Sequence, residues 1–194
     1  MLLKIHQAGQ PILRKQAKTV TESVLRSRET QDLIDHMIET LRDVPGVGLS
    51  ASQVGSPLNI CIMEDKAAYH KPLLPEVLMA QGRKEFSLKV LVNPRLEIIE
   101  TEPEIFFEGC LSVEGYVGVV PRASKVRVTA TDRHGEALSF VAKGWQARIL
   151  QHEVDHLHGI LYIDKVRLSS FMNIKNFNNL WRDALQPKIE KHFI

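Results

Sequence analysis

Cysteine is nearly absent from this chain: Cys61 and Cys110 are the only two among 194 residues. So few exclude a disulfide framework and suit a reducing compartment, where a free thiol stays available as a ligand. A charge excess is missing too, since 25 basic residues stand against 23 acidic ones for a net +2. That balance leaves no electrostatic footprint for nucleic acid, and no specific nucleic acid is expected as a partner. No run approaches the roughly 18 apolar residues of a membrane helix, so no membrane partner is expected either. Met1-Leu2-Leu3-Lys4-Ile5-His6 lacks the apolar run and small-residue site of a secretory signal, and the arginines of a transit segment. Repeats and low-complexity tracts are absent. What remains, 44% hydrophobic, is enough to bury a core, and a single domain over 1–194 is expected.

The run Gln151-His152-Glu153-Val154-Asp155-His156 carries the most chemistry. Residues four apart share a helical face, so His152 and His156 can ligate one ion from a single helix, with Glu153 beside the ion. A carboxylate so placed can take a proton from water activated there. Trp145, Ile149, His152 and His156 form one stripe, so the two imidazoles continue an apolar face and point inward, where a cation answers the cost of burying them. Surface histidines on an amphipathic helix are the ordinary alternative.

A catalytic metal usually takes three protein ligands. The extended pattern HExxHxxGxxH would need histidine at 162, where the residue is Tyr162, although Gly159 fits. Asp164, Asp183 and Glu190 are the only carboxylates after His156, and none is attractive. Cys110, within Glu108-Gly109-Cys110-Leu111-Ser112, is the better candidate, because glycine lets the backbone approach an ion and thiolate is a strong ligand. A small buried hydrophobe is the plain alternative, and it is the reading kept for Cys61. By ligand type alone, one cysteine with two histidines suits zinc.

Periodicity predicts a helix over Thr30 to Asp43, capped by Thr30 and stopped by Pro45-Gly46. Leu58 to Met63, Leu88 to Val92, Leu96 to Ile99 and Ile105 to Phe107 read as strands, and residues 64–86 as a surface excursion with a short helix near Pro75 to Ala80. Lys125 to Thr131 and Ala137 to Ala142 form a hairpin turning at Asp132-Arg133-His134-Gly135. The HExxH helix runs from Gly144 to His158, with Gly159 ending it in the left-handed conformation. A last helix is capped by Ser169 or Ser170, presents Ile174, Phe177, Trp181 and Leu185 on one face for core packing, and ends at Pro187. Clustered strands indicate an α+β fold: antiparallel sheets around a central HExxH helix, with an N-terminal and a C-terminal helix.

Three segments in order, Gly46-Val47-Gly48-Leu49-Ser50-Ala51-Ser52-Gln53, Glu108-Gly109-Cys110-Leu111-Ser112 and Gln151-His152-Glu153-Val154-Asp155-His156, resemble the signature motifs of the peptide deformylases. The resemblance covers residues 1–167 and leaves 168–194 as a C-terminal helical extension. It departs at Ser50, where the family pattern has alanine. The resemblance implies that Cys110, His152 and His156 hold one divalent ion, Fe2+ by family habit, with Zn2+, Ni2+ or Co2+ admissible in isolated protein. It implies that Glu153 moves the proton as N-formylmethionyl nascent peptides lose formate, that the Gln53 amide and the Leu111 N–H donate to the oxyanion, and that an Arg122–Glu108 ion pair steadies the Cys110 segment. Gly48, Val47, Gly109, Trp145 and Ile149 are the expected substrate-binding residues. Expected partners are nascent chains near the ribosome, the chain itself being a monomer or homodimer. The expected location is the bacterial cytoplasm, or an organellar matrix after removal of a presequence. Two other readings stand beside this one: an HExxH endopeptidase, which lacks its third ligand, and a protein holding a metal only for its fold, which would need neither Glu153 nor Gln53.

Overall fold

The computed structural model describes residues 1–194. After one helical turn, α1 (Glu22–Leu25), Ser27 starts the long helix α2 (Arg28–Asp43). Its hydroxyl accepts the Thr30 N–H at 3.2 Å, satisfying one orphan donor of the first turn. The cap is therefore Ser27, and Thr30 is buried inside the helix instead. Ile34, Met37 and Leu41 lie buried along one face, at amphipathic spacing.

Five strands lie antiparallel in sequence order, β1 (Gly48–Ser50), β2 (Ile60–Asp65), β3 (Phe86–Cys110), β4 (Val113–Thr131) and β5 (Ala137–Lys143), and β6 (Met172–Asn173) pairs with β4. Two short helices, α3 (Ala67–His70) and α4 (Pro75–Ala80), occupy the excursion between β2 and β3. The three strands expected between 88 and 107 are one, β3. Asn93-Pro94 does not end it, because Asn93 adopts a φ of 52° and its side chain pairs both backbone groups of Val20, at 2.9 and 2.8 Å. The ladder to β4 shifts register between Val92 and Arg95 and again between Ile98 and Pro103, bulges that bend the strand without breaking it. At the β4–β5 turn, Asp132 accepts the N–H groups of His134 and Glu136.

The HExxH run lies on α5 (Gly144–Leu157), which touches all of β1 to β5 and buries Ala147, Leu150 and Leu157 against them. Gly159 follows at a φ of 74°, the left-handed stop expected of it. The expected single C-terminal helix is two, α6 (Ile174–Leu180) and α7 (Gln186–Phe193). Asn173 caps the first, accepting the Lys175 N–H at 2.8 Å, whereas Ser170 turns inward and accepts the Val119 N–H. Pro187 stands in the first turn of α7, where its missing N–H leaves no helical bond unmade. Phe177, Trp181 and Phe193 close on Phe107 of β3, with ring centroids 5.1, 6.2 and 5.8 Å away. Ile174 and Leu185 stay exposed, so only part of the expected face packs. No helix is long and apolar enough to cross a membrane.

Candidate active site

Cys110 ends β3 at a bulge, and a two-residue turn, Leu111-Ser112, returns the chain into β4. His152 and His156 stand one turn apart on α5. The three ligand atoms all lie within 4.8 Å of one another, with Cys110 Sγ 3.3 Å from His156 Nε2. Two donors also face the sulfur, the Ser112 N–H at 3.4 Å and Gln53 Nε2 at 3.6 Å.

Glu108 orients the first imidazole. Its Oε2 lies 2.9 Å from His152 Nδ1, which leaves Nε2 as the free nitrogen of that ring. Arg122 grips the same carboxylate in bidentate fashion at 2.9 and 3.0 Å and also pairs with Asp155, so the ion pair implied by the family resemblance is present. Arg148 adds a third contact at 2.7 Å. Burial opposes the charge on Glu108, but Arg122, His152 and Arg148 outweigh it and hold the carboxyl well below its usual range. Burial, followed by the charges of His152 and Arg122, pushes the proton affinity of His156 well below that of an ordinary imidazole. A neutral buried imidazole beside a thiol and a carboxylate-oriented imidazole is the donor set of a divalent transition metal, and these residues fit one.

Glu153 is not one of the three candidate ligands, and its carboxylate lies against Gly48 and Ser50 of β1. Burial raises its proton affinity above the usual carboxylate range, against the opposing pull of His152 and of the Ser50 hydroxyl. Gly48 makes room for it: a Cβ there would fall 2.2 Å from Glu153 Oε1. Gln53 sits in a 3-10 turn over 51–54 with its Oε1 held by the Ser50 N–H at 2.8 Å, and this turns Nε2 toward Cys110 and Ser112. The Leu111 N–H makes no backbone hydrogen bond.

Gln53, Cys110, Leu111, His152 and Glu153 line one cleft of about 810 Å³, and every expected substrate-binding residue, Val47, Gly48, Gly109, Trp145 and Ile149, lies on its wall. Sequence reasoning missed Arg148, Ser50 and Tyr162 as parts of this site. Arg148 had a signal, being a charge inside the inward stripe of α5, where it needs a buried anion. Tyr162, considered only as a failed ligand, is buried with its ring 6.2 Å from that of His152 and its hydroxyl donating to the Tyr116 carbonyl.

An α+β fold whose central helix carries HExxH, with a cysteine from a neighbouring strand completing the set, defines a class of metal-site proteins. The chain belongs to the polypeptide deformylase family, whose model matches residues 2–171. It is 42% identical over 174 residues to the chloroplastic peptide deformylase 1A of Solanum lycopersicum, covering 90% of this chain and 63% of the relative. It is 44% identical over 177 residues to the chloroplastic/mitochondrial peptide deformylase 1A of Arabidopsis thaliana, covering 91% of this chain and 66% of the relative. The chain thus spans slightly under two thirds of the length of these relatives. The Met-Ala-Ser-bound crystal structure of a class I type b peptide deformylase from Acinetobacter baumannii superposes with a TM-score of 0.76 at 33% identity, over 86% of this chain and 99% of that one.

Proposed function

We propose that this chain is a metal-dependent hydrolase that removes the N-formyl group from the N-terminal formylmethionine of newly made proteins and releases formate. The observation that carries this reading is the convergence of Cys110, His152 and His156 within 4.8 Å, beside a Glu153 that is not one of the three. Those three side chains would hold one divalent ion, Fe2+ by family resemblance. Bound there, the ion supplies a Lewis acid that activates water and polarises a carbonyl.

The chain's own groups do the rest. Glu153 accepts the proton as water adds to the formyl carbon, then delivers it to the departing amine nitrogen of methionine, so one carboxylate serves both transfers. Burial raises its proton affinity above that of an ordinary carboxylate, the direction that favours returning the proton to the leaving amine. Gln53 Nε2 and the Leu111 N–H donate to the oxyanion of the tetrahedral intermediate. An extended peptide lies along β1, which ends the sheet order and so keeps one edge without a strand partner. Val47, Trp145 and Ile149 enclose the methionine side chain.

The test is to incubate anaerobic, iron-loaded protein with a formyl-methionyl peptide, its acetyl counterpart and an unblocked peptide. Formate from the first alone is the expected result. Internal cleavage would point instead to an endopeptidase, and a filled metal site without turnover to a structural metal.

A further inference from the structure

Gly48 and Ser50 are two apart on β1, hence on one face of the strand, and together they flank the Glu153 carboxylate. The Ser50 side chain is wholly buried. Its hydroxyl lies 2.7 Å from Glu153 Oε2 and 2.9 Å from the Glu153 carbonyl oxygen. One hydroxyl proton serves one acceptor at a time, and the carboxylate is the stronger of the two. Oε1 occupies the space left by the missing side chain of Gly48, on the wall of the cleft, and makes no hydrogen bond to the protein. The two oxygens of Glu153 are therefore unlike: one is tied down and the other faces the cleft.

The backbone of the same residue holds the second group. The Ser50 N–H donates to Gln53 Oε1, and this directs Gln53 Nε2 toward Cys110. An alanine at 50, the residue of the family pattern, would keep the bond to Gln53 and lose the one to Glu153. What serine adds is specific to the carboxylate.

We propose that Ser50 is a positioning residue for Glu153: its hydroxyl pins Oε2 and selects one rotamer, so that Oε1, above Gly48, is the oxygen that exchanges the proton. This rests on the hydrolase reading above. Without the hydroxyl the carboxylate turns about its last side-chain bonds and spends part of its time out of reach. Turnover then falls while binding, set by cleft walls that the hydroxyl does not form, is unchanged.

The test combines crystal structures of wild type, Ser50→Ala and Ser50→Thr with steady-state kinetics on a formyl-methionyl peptide. Wild type should show Glu153 in one rotamer and Ser50→Ala should show it in two or more. For Ser50→Ala, kcat should fall about tenfold or more, the scale of one hydrogen bond to a charged group, at unchanged KM. Ser50→Thr, which keeps the hydroxyl, should recover the single rotamer and the rate. A single Glu153 rotamer and full kcat in Ser50→Ala overturns the proposal, and so does a fall in kcat accompanied by a changed KM, which would mark a packing role. Should wild type release no formate, the deformylase reading falls alone, and the rotamer comparison still decides the role of Ser50.

Discussion

Glu108 Oε2 lies 2.9 Å from His152 Nδ1, and the same carboxylate is gripped by two buried arginines, Arg122 and Arg148. One acid thus fixes the tautomer of a metal-ligand candidate and is shared by two buried cations, of which Arg122 also has Asp155. Glu108→Gln keeps the shape and removes the charge. It should weaken metal binding by about 10- to 100-fold, the usual effect of losing a partner that orients a ligand. It should also destabilise the fold by on the order of 3 kcal/mol, because buried Arg148 loses its ion-pair partner and Arg122 keeps only Asp155. Competition with a chelator and thermal unfolding read the two effects, and wild-type affinity in the variant would detach Glu108 from any role at the metal.

Gln53 is almost wholly buried, with its amide oriented by the Ser50 N–H and its Nε2 facing the cysteine. Gln53→Ala should lower kcat by roughly 10²-fold or more if the amide stabilises the oxyanion. Metal content should stay near one per chain, because the three candidate ligands are untouched. Unchanged kcat at full occupancy removes Gln53 from that role.

Gly48→Ala asks whether Glu153 works from the position it holds. The added Cβ would lie 2.2 Å from Oε1 and 2.7 Å from Cδ of Glu153, so the carboxylate must leave. Since general acid–base catalysis typically contributes 10²- to 10⁴-fold, kcat should drop by about 10² or more. The metal should remain bound. Near-normal turnover would mean that the base acts from another rotamer.

Much of this site was legible locally, and the exceptions share a cause. The HExxH helix shows in the sequence because two imidazoles at i and i+4 declare a shared face, and the β4–β5 turn because Asp132 and Gly135 carry their own turn chemistry. Cys110 emerged from what His152 and His156 lacked. The continuity of β3 did not emerge, since Asn93-Pro94 looks like a break until Val20, far away in sequence, satisfies the asparagine. The Ser50–Glu153 bond spans 103 residues, and no local pattern encodes such a pairing. Pro187 was ambiguous for another reason: the same residue that stops one helix is favoured in the first turn of the next.

Glu64 supplies a prediction about pH. Arg42 holds its carboxylate through two hydrogen bonds, at 2.9 and 3.0 Å, and this, against the opposing effect of burial, lowers its pKa below the ordinary 4.5. A group depressed in the folded state contributes stability that is present above its unfolded pKa and is lost as pH falls through the folded value. Glu64→Gln should therefore melt below wild type at pH 7, with the gap closing as pH falls beneath about 4.5. Melting curves from pH 3 to 7, taken with chelator on both proteins, measure this. A gap constant with pH would assign the loss to packing.

The family match ends at residue 171, yet the chain beyond it is packed against the site. Phe177, Trp181 and Phe193 enclose Phe107, three residues before Cys110 on the same strand. Ala184 and Ile189 are buried in the same cluster, so removing 172–194 would expose a strand whose next residues carry the cysteine. Loss of one buried aromatic commonly destabilises by about 3–5 kcal/mol, and several are lost here at once. A chain cut after Phe171 should melt well below the full chain and bind metal more weakly, because the segment bearing Cys110 loses its backing. The alternative is an appendage that merely rests on the surface. It predicts equal melting temperature and equal metal affinity in the two chains, so a pair of melts and a chelator titration decide between them.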